Sequence, residues 1–351
     1  NWGTNAITID SNGLNYQGDD DTWTVKYDTD GQSVNIVYSG STNGWIPIED
    51  DTVTDAPYIG NDEGIFAFGT TGSYTAISNL VSNTGVVSTD VTGVGTARRY
   101  LGACEYGDDK GIFGYGQYRD SPTSITRTAV SNLVSNAGVV ATDVTGVGTA
   151  REGSAACSYG GDKGIFGYGD DDGNGNQVSM TNLVSNAGVV ATDVTGVGTA
   201  RSHLGACEYG TDTAIFGFGT DGSVTNVSNL VSNAGVVATD TTGVGSARRE
   251  VAACGYGYDK GIFAFGSTGS YTAISNLVSN VGVVATDTTG VGTVRNGVAA
   301  CEYGYDKGIF GYGYTGSYVG MTNLVSNAGV VATDVSVVGT ARSQPGACSF
   351  N

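Results

Sequence analysis

Few residues of this 351-residue chain have the types and spacing that could do chemistry. Asp170, Asp172, Asn174 and Gly175 have the D-x-D-x-N-G spacing that opens a calcium loop, in which successive side-chain oxygens surround a hard cation. The later carboxylate of such a loop is missing, because Thr181 stands at its twelfth position. We interpret the segment first as a turn, with a Ca²⁺ site as the alternative, and expect no other cofactor.

The sequence gives catalysis little support. His203 is the only histidine, so sites built on several histidines are excluded, and a Ser-His-Asp triad would have to use this residue. It lies in a predicted loop, and we interpret it as a chance surface residue. Among 34 acidic residues, no pair has a spacing that singles it out for glycoside hydrolysis. We therefore predict that the protein is not an enzyme.

One charged arrangement recurs six times: an arginine preceded by an aspartate eight residues earlier. Six copies indicate a structural role more than six binding sites, and we expect a salt bridge or loop clamp within each repeat. A ring of arginines that binds anions is the alternative. The pairs are Asp90 and Arg98, Asp143 and Arg151, Asp193 and Arg201, Asp240 and Arg248, Asp287 and Arg295, and Asp334 and Arg342.

The composition limits the class of protein. A formal net charge of -19 argues against nucleic-acid binding, because phosphate contacts need a basic surface. No run of 18 apolar residues is present, so we predict no membrane insertion. The 58 glycines accompany many β-branched and aromatic residues and only four prolines, which favours a turn-rich all-β protein over a disordered one.

The elements that must position the charged residues come from one repeated unit. The motif IFAFG, IFGYG or IFGFG starts at positions 65, 112, 165, 215, 262 and 309, and SNLVSN or TNLVSN, GVV and an arginine follow each copy. A period of 47 to 53 residues with several short β-like segments is typical of a solenoid, an array or a propeller. We divide each period into four strands, A to D, joined by Gly, Asn and Asp turns, which fits a propeller blade best.

The repeats therefore predict an all-β fold with a six-bladed β-propeller over residues 54–351. The chain ends on an unmatched strand A at 346–351, whereas the first repeat has Pro57 at the position of the repeated cysteine. A terminal strand that completes the first blade would close the propeller and remove its exposed edges. Seven blades, with the last completed by the N-terminal region, are the alternative.

Residues 1–53 lack the repeat and predict a small β domain. Alternating strand-like segments occur at 6–9, 22–27 and 33–38, and the domain closes on 44–48. About 50 residues is near the lower limit for a self-sufficient core. We therefore expect an attachment or oligomerisation module, and a homo-oligomer formed through it.

The six cysteines occupy one equivalent position in successive repeats. Equivalent positions in neighbouring units generally lie further apart than the roughly 7 Å between Cα atoms that a disulfide tolerates. We predict free, buried thiols and assembly in a reducing compartment. The residues are Cys104, Cys157, Cys207, Cys254, Cys301 and Cys348.

The repeat resembles the Kelch-type propeller repeat. AR, a short strand with YG, xDKGIFGYG and a later GVGTAR follow the order of that family's arginine, short strand, turn, IYVFGG-like strand and hairpin. The resemblance covers about 290 residues, but the usual glycine pair is broken into GYG or GFG, and no repeat contains Trp. It implies Kelch-like packing and no particular partner.

The N-terminal segment, GTNAITIDSNGLNYQG to SVNIVYSGSTNGWIPI, is similar to small β modules of bacteriophage tail-fibre and related structural proteins. This resemblance covers about 48 residues. It implies a virion protein of the tail, assembled in the host cytoplasm, with other virion subunits as partners. The alternative is a secreted or cell-surface microbial propeller, lectin-like or adhesive.

Differences among the copies predict where a ligand binds. The A-to-B and C-to-D turns are nearly constant, whereas the B-to-C and D-to-A connections vary, and in a blade these two connections emerge on one face. We expect that face to contact a partner, and a host-surface glycan is the leading candidate. The alternative explanation of the variation is sequence drift in loops that tolerate change. Exposed aromatic and Arg side chains make efficient contacts, which selects Tyr100, Tyr118, Arg119, Tyr271 and Tyr318.

Overall fold

The computed structural model describes residues 7–19, 25–27, 35–48, 62–121, 124–171, 175–336 and 339–351. These residues form an all-β protein of small antiparallel sheets, which confirms the predicted fold class at that level. None of them belongs to a helix long and apolar enough to cross a membrane. The chain divides into two compact units, Asn1–Ile59 and Gly60–Asn351.

The strands of the smaller unit form two antiparallel pairs. They are β1 (Ile7–Ile9) with β2 (Val25–Tyr27), and β3 (Ile36–Tyr38) with β4 (Trp45–Pro47). Tyr38 lies opposite Trp45 in the second pair, with ring centroids 5.4 Å apart. Gly44 precedes β4 with a φ of 64°, and a Cβ there would lie 1.6 Å from the carbonyl oxygen of Asn15, so only glycine fits.

The strands of the larger unit follow the repeat. In chain order they are β5 (Glu63–Ala67), β6 (Ser78–Val81), β7 (Gly102–Tyr106), β8 (Lys110–Gly114), β9 (Gln117–Ser121), β10 (Ser124–Arg127), β11 (Ser131–Val134), β12 (Ala155–Tyr159), β13 (Lys163–Asp170), β14 (Gln177–Val184), β15 (Gly205–Tyr209), β16 (Thr213–Gly217), β17 (Ser228–Val231), β18 (Ala252–Tyr256), β19 (Lys260–Ala264), β20 (Ser275–Val278), β21 (Ala299–Tyr303), β22 (Lys307–Gly311), β23 (Met321–Val325), β24 (Val335–Ser336) and β25 (Gly346–Phe350). Strands β9 and β10 form a separate hairpin within one B-to-C connection.

Six antiparallel sheets share one plan, in which strand A pairs with strand B and strand B pairs with strand C. Their strand orders are β25-β5-β6, β7-β8-β11, β12-β13-β14, β15-β16-β17, β18-β19-β20 and β21-β22-β23-β24. The first of these sheets takes its strand A from the C-terminal end of the chain, with Cys348 opposite Ile65. The A strands contact one another in a cyclic order, which is β7, β12, β15, β18, β21, β25 and again β7.

Glycines allow neighbouring sheets to pack closely. A Cβ in place of Gly114 would lie 2.7 Å from the Phe166 ring of the next sheet, so this glycine receives the bulky ring. A Cβ in place of Gly111 would lie 2.4 Å from the Sγ atom of Cys348, so that cysteine fills the space above another glycine. The six repeated cysteines are free and buried, as predicted.

A fully buried arginine joins each sheet to its neighbour. Arg98 donates from Nε to the carbonyl oxygen of Tyr115 at 3.0 Å, and its guanidinium lies 4.2 Å from the centroid of the Phe68 ring. Tyr115 and Phe68 are equivalent aromatic residues of adjacent repeats, and both have a φ near 65°, which is uncommon outside glycine. The arginine thus bonds to the strained aromatic residue of one repeat and stacks on that of the preceding repeat. We call this unit the arginine clamp.

The clamp uses the aspartate of the following repeat. Thr96, two residues before Arg98, donates from Oγ1 to Asp143 at 2.6 Å, and Asn132 donates to the same carboxylate at 2.9 Å. Arg98 therefore lies close to Asp143, which follows β11 of the same sheet, and the predicted pairing of Arg98 with Asp90 is wrong. Equivalent bonds join Thr149 to Asp193, Thr199 to Asp240, Ser246 to Asp287, Thr293 to Asp334 and Thr340 to Asp90.

Candidate functional site

The six D-to-A connections line one cavity of about 120 Å³, which is open to solvent on one side. The residue two positions after each clamp arginine lies at its edge, and we call these the rim residues. They are Tyr100, Gly153, His203, Glu250, Gly297 and Gln344. The next residues form a wall layer of Leu101, Ser154, Leu204, Val251, Val298 and Pro345. Positions that vary among the repeats therefore surround a single cavity.

The rim residues share a left-handed backbone. Their φ angles lie between 53° and 62°, a range that glycine adopts freely and that costs other residues about 1 kcal/mol or more. Two repeats carry glycine at this position, whereas four carry the large polar side chains of Tyr100, His203, Glu250 and Gln344. Four connections thus retain an unfavourable backbone that places a polar side chain at the cavity.

The rim side chains support one another across repeats. Gln344 donates from Nε2 to the hydroxyl oxygen of Tyr100 at 2.7 Å. The Tyr100 ring packs edge-on against His203, with centroids 4.6 Å apart, and Asn296 donates to Glu250 at 2.8 Å. These contacts hold the side chains in place, so a ligand would meet a pre-organised rim.

Burial is the main cause of the pKa shifts of the rim side chains. Burial, followed by the charge of Arg249, lowers the pKa of His203 to about 4, so its imidazole is neutral at pH 7. Burial raises the pKa of Glu250 against the opposing charge of Arg249, and it raises the pKa of Tyr100 well above its ordinary value. The rim therefore offers the neutral imidazole of His203 and the neutral phenol of Tyr100 beside nearby arginines.

Two polar atoms at the cavity have no hydrogen-bond partner among the described residues. They are Oγ of Ser154 and Oε1 of Gln344. Ser154 is the only polar member of the wall layer, and it is 7% exposed. Leaving a buried hydroxyl unpaired costs about 1 to 3 kcal/mol, so both atoms would gain from a polar ligand.

A second cavity of about 50 Å³ adjoins the first. The two share a layer of six alanines, which are Ala103, Ala156, Ala206, Ala253, Ala300 and Ala347. Two positions further along the A strands, three glutamates alternate with small residues, in the order Glu105, Ser158, Glu208, Gly255, Glu302 and Ser349. Burial and the neighbouring carboxylates raise the pKa of Glu208, and they raise the pKa of Glu302 to about 8.

The other predicted contact residues lie on B-to-C connections. Tyr118 and Arg119 belong to β9, where Arg119 is exposed. Tyr271 packs against Tyr314 with ring centroids 6.3 Å apart, and Tyr314 packs against Tyr318 at 5.3 Å. Of the five predicted contact residues, only Tyr100 lines the cavity.

Tyr74 links a B-to-C connection to the rim. The guanidinium of Arg119 lies 5.6 Å from the centroid of the Tyr74 ring, and that of Arg99 lies 5.0 Å from it. Arg99 also lies 4.9 Å from the Tyr100 ring. Sequence reasoning missed Tyr74, although it occupies the same place in GSYT as Tyr271.

Three of the four large rim residues were also missed. His203 lines the cavity and packs against Tyr100, so its interpretation as a chance surface residue is wrong. Glu250 and Gln344 gave no signal beyond the variation of their connections, which the sequence does show. Only the shared left-handed φ reveals that these residues are equivalent members of one rim.

The predicted calcium segment is described only in part. Asp170 ends β13, and its carboxylate accepts a hydrogen bond from the Gly175 nitrogen at 3.2 Å, as in a turn. Asp172 and Asn174 lie outside the described residues. In the part of the chain that the structure describes, no group of three or more His, Cys, Asp or Glu residues could hold a metal ion.

Comparison with known proteins adds no relative to this picture. No protein-family model matches the chain, and no curated protein matches it. The function proposed below therefore rests on the cavity, its rim and the residues around them.

Proposed function

We propose that the protein is a non-enzymatic recognition protein whose larger unit is a six-bladed β-propeller with an axial ligand-binding cavity. Three observations support the architecture: the cyclic contacts of the A strands, the pairing of β25 with β5, and the bond between Thr340 and Asp90. In a closed propeller the A strands surround the axis, and the connections before them line one mouth of the channel. A cavity lined by the D-to-A connections is consistent with that arrangement.

The convergence of four large polar side chains on one cavity carries the proposed function. They are those of Tyr100, His203, Glu250 and Gln344, and Gly153 and Gly297 occupy the equivalent position in the other two repeats. Glycine would relieve the left-handed backbone of these four residues, but it would remove the hydrogen-bonding groups that they place at the cavity.

We propose a glycan as the ligand. Sugars combine hydroxyl groups, which need neutral donors and acceptors, with apolar ring faces, which pack on aromatic side chains. The rim offers neutral donors and acceptors through Tyr100, His203 and Gln344. The wall layer and Tyr74 offer apolar and aromatic surface. In this proposal the smaller unit attaches the protein to a bacteriophage tail, and the cavity recognises the host surface.

Glycine substitutions at the rim test the ligand site. The full chain and its variants Tyr100→Gly and Gln344→Gly are screened on a glycan array, and their thermal unfolding is recorded. We expect both variants to keep the fold, because Gly153 and Gly297 occupy equivalent positions, and to lose at least about tenfold in affinity.

Tyr258→Gly is the matched control for this experiment. Tyr258 also has a positive φ, lies in an A-to-B turn at the other end of the strands, and is equivalent to Gly161. We expect it to bind like the parent protein. Unchanged binding by both rim variants, or no glycan bound by the parent, would overturn the proposal.

Electron microscopy of the native source tests the proposed location on a phage tail. We expect the protein on the tails of phage particles. Finding the protein in washed cell envelopes that contain no particles would refute this location.

A further inference from the structure

We propose that the glycan is anionic and that its acid group binds at Arg99 and Arg119, which both approach the Tyr74 ring. This inference rests on the proposed function and specifies the ligand class of the same site. It starts from the distribution of positive charge in a chain whose net charge is -19.

The arginines outside the clamps all lie on the cavity side of the larger unit. They are Arg99, Arg119, Arg127 and Arg249, and each belongs to a D-to-A or B-to-C connection. The two kinds of connection lie side by side, as the bridge between Arg99 and Gln117 shows. The four lysines of this unit instead begin B strands at the opposite end, each paired with the preceding aspartate.

These arginines differ in whether an ion pair within the protein neutralises their charge. Arg127 donates to Glu152 at 2.6 Å, which neutralises its charge within the protein. Arg99 lies between the rings of Tyr74 and Tyr100 and forms no ion pair within 4 Å among the described residues. Both Arg99 and Arg249 act on the rim, since their charges help to lower the pKa of His203. Arg99 therefore places beside the rim a positive charge that a ligand could neutralise.

Two hydrogen-bond donors at this place need an acceptor. In the described part of the chain, neither Nε of Arg99 nor the Tyr74 hydroxyl has a hydrogen-bond partner. Arg99 and Arg119 both approach the Tyr74 ring, at 5.0 and 5.6 Å. A carboxylate or sulfate offers several acceptor lone pairs and a negative charge, so it suits this pair of guanidinium groups.

The surroundings favour a saccharide over a small ion or a polyanion. Tyr318 approaches the connection that holds Tyr74, since its ring lies 3.8 Å from the Cβ position of Gly72. Tyr314 and Tyr271 continue this aromatic row into the preceding repeat, which gives a surface long enough for several sugar rings. A net charge of -19 repels densely charged polymers, so a ligand with isolated acid groups fits best.

Calorimetric titration with three oligosaccharides of equal length tests this inference: one neutral, one containing uronic acid and one sulfated. We expect the parent protein to prefer one or both acidic ligands, with affinity that falls as salt is added. Arg119→Gln should weaken acidic binding by about tenfold or more and leave its fold intact, because the side chain is exposed. Lys163→Gln, the same charge change at the opposite end, should bind like the parent.

Arg99→Lys separates charge from geometry, because lysine keeps the charge but lacks the planar donors that match a carboxylate. We expect it also to weaken acidic binding. Equal affinity for neutral and acidic ligands, or unchanged acidic binding in Arg119→Gln and Arg99→Lys, would overturn the inference. If the neutral ligand binds and Tyr100→Gly abolishes that binding, the proposed function stands while the acidic preference fails. No binding by any of the three oligosaccharides would overturn the inference.

Discussion

Thr340 donates hydrogen bonds from its backbone nitrogen and its hydroxyl group to Asp90, which lies 250 positions earlier in the chain. The same pair of bonds joins Thr96 to Asp143 between consecutive repeats. The two ends of the larger unit are therefore held by the same contact as its interior neighbours. The first and last repeats should therefore depend on each other for stability as much as any two consecutive repeats do.

Removing the terminal clamp should destabilise the larger unit. We expect Asp90→Ala to lower the free energy of unfolding by about 1 to 3 kcal/mol, because it removes the charged acceptor of two hydrogen bonds from Thr340 and one from Asn79. Asp240→Ala, in an interior clamp, should cost about the same, and the exposed Asp221→Ala should cost little. Urea denaturation measures all three. A terminal variant as stable as the parent protein would contradict this expectation.

The buried glutamates should make stability depend on pH. Burial and the charge of Glu105 raise the pKa of Glu302 from its ordinary 4.5 to about 8 in the folded protein. A raised pKa means that the folded state holds this proton more tightly than the unfolded state. The resulting stabilisation is complete below pH 4.5 and is lost as the pH rises through about 8.

Glu302→Gln tests that dependence, because an amide imitates the protonated acid at every pH. Unfolding free energies measured in urea between pH 4.5 and 8.5 should fall less steeply for this variant than for the parent protein. The exposed Asp221→Asn is the control and should leave the slope unchanged. Parallel slopes for Glu302→Gln and the parent would show that this carboxyl titrates normally.

The packing of cysteine against glycine between sheets predicts a compensating pair of substitutions. Gly111→Ala should destabilise the protein by about 1 to 3 kcal/mol, because the new Cβ would lie 2.4 Å from Sγ of Cys348. Adding Cys348→Ala removes that sulfur and should recover part of the loss. A double-mutant cycle measures the coupling, and strictly additive effects would contradict the contact.

The repeated thiols should be chemically inert in the folded protein. Burial raises the pKa of each thiol, including that of Cys157, and the thiolate is the reactive form. We expect iodoacetamide to modify none of the six cysteines under native conditions and all six in denaturant, as read by mass spectrometry. Rapid modification of the native protein would contradict their burial.

Local patterns explain which predictions succeeded. Alternating residues and Gly, Asn and Asp turns placed strands A, B and C, because strand preference and turn geometry act over a few residues. The predicted strand D is wrong for five of the six sheets among the described residues, since only β24 forms there. The partner of Arg98 was predicted wrongly, because a spacing of eight residues was taken for proximity. The pairing of β7, β8 and β11 in one sheet instead places Asp143, which follows β11, beside this arginine, which precedes β7. His203 was misjudged for a related reason, since its contact with Tyr100 crosses two repeats.

The sequence by itself determined the repeat, the all-β class, the equivalence of the six cysteines and the positions at which the copies differ. Only the tertiary structure decided which equivalent positions meet. Tyr100, His203, Glu250 and Gln344 lie about one to five repeats apart in sequence, and they share a rim because the A strands that follow them contact one another in cyclic order. Contacts between segments that lie far apart in sequence form only when the chain folds, so the repeat pattern alone could not show them.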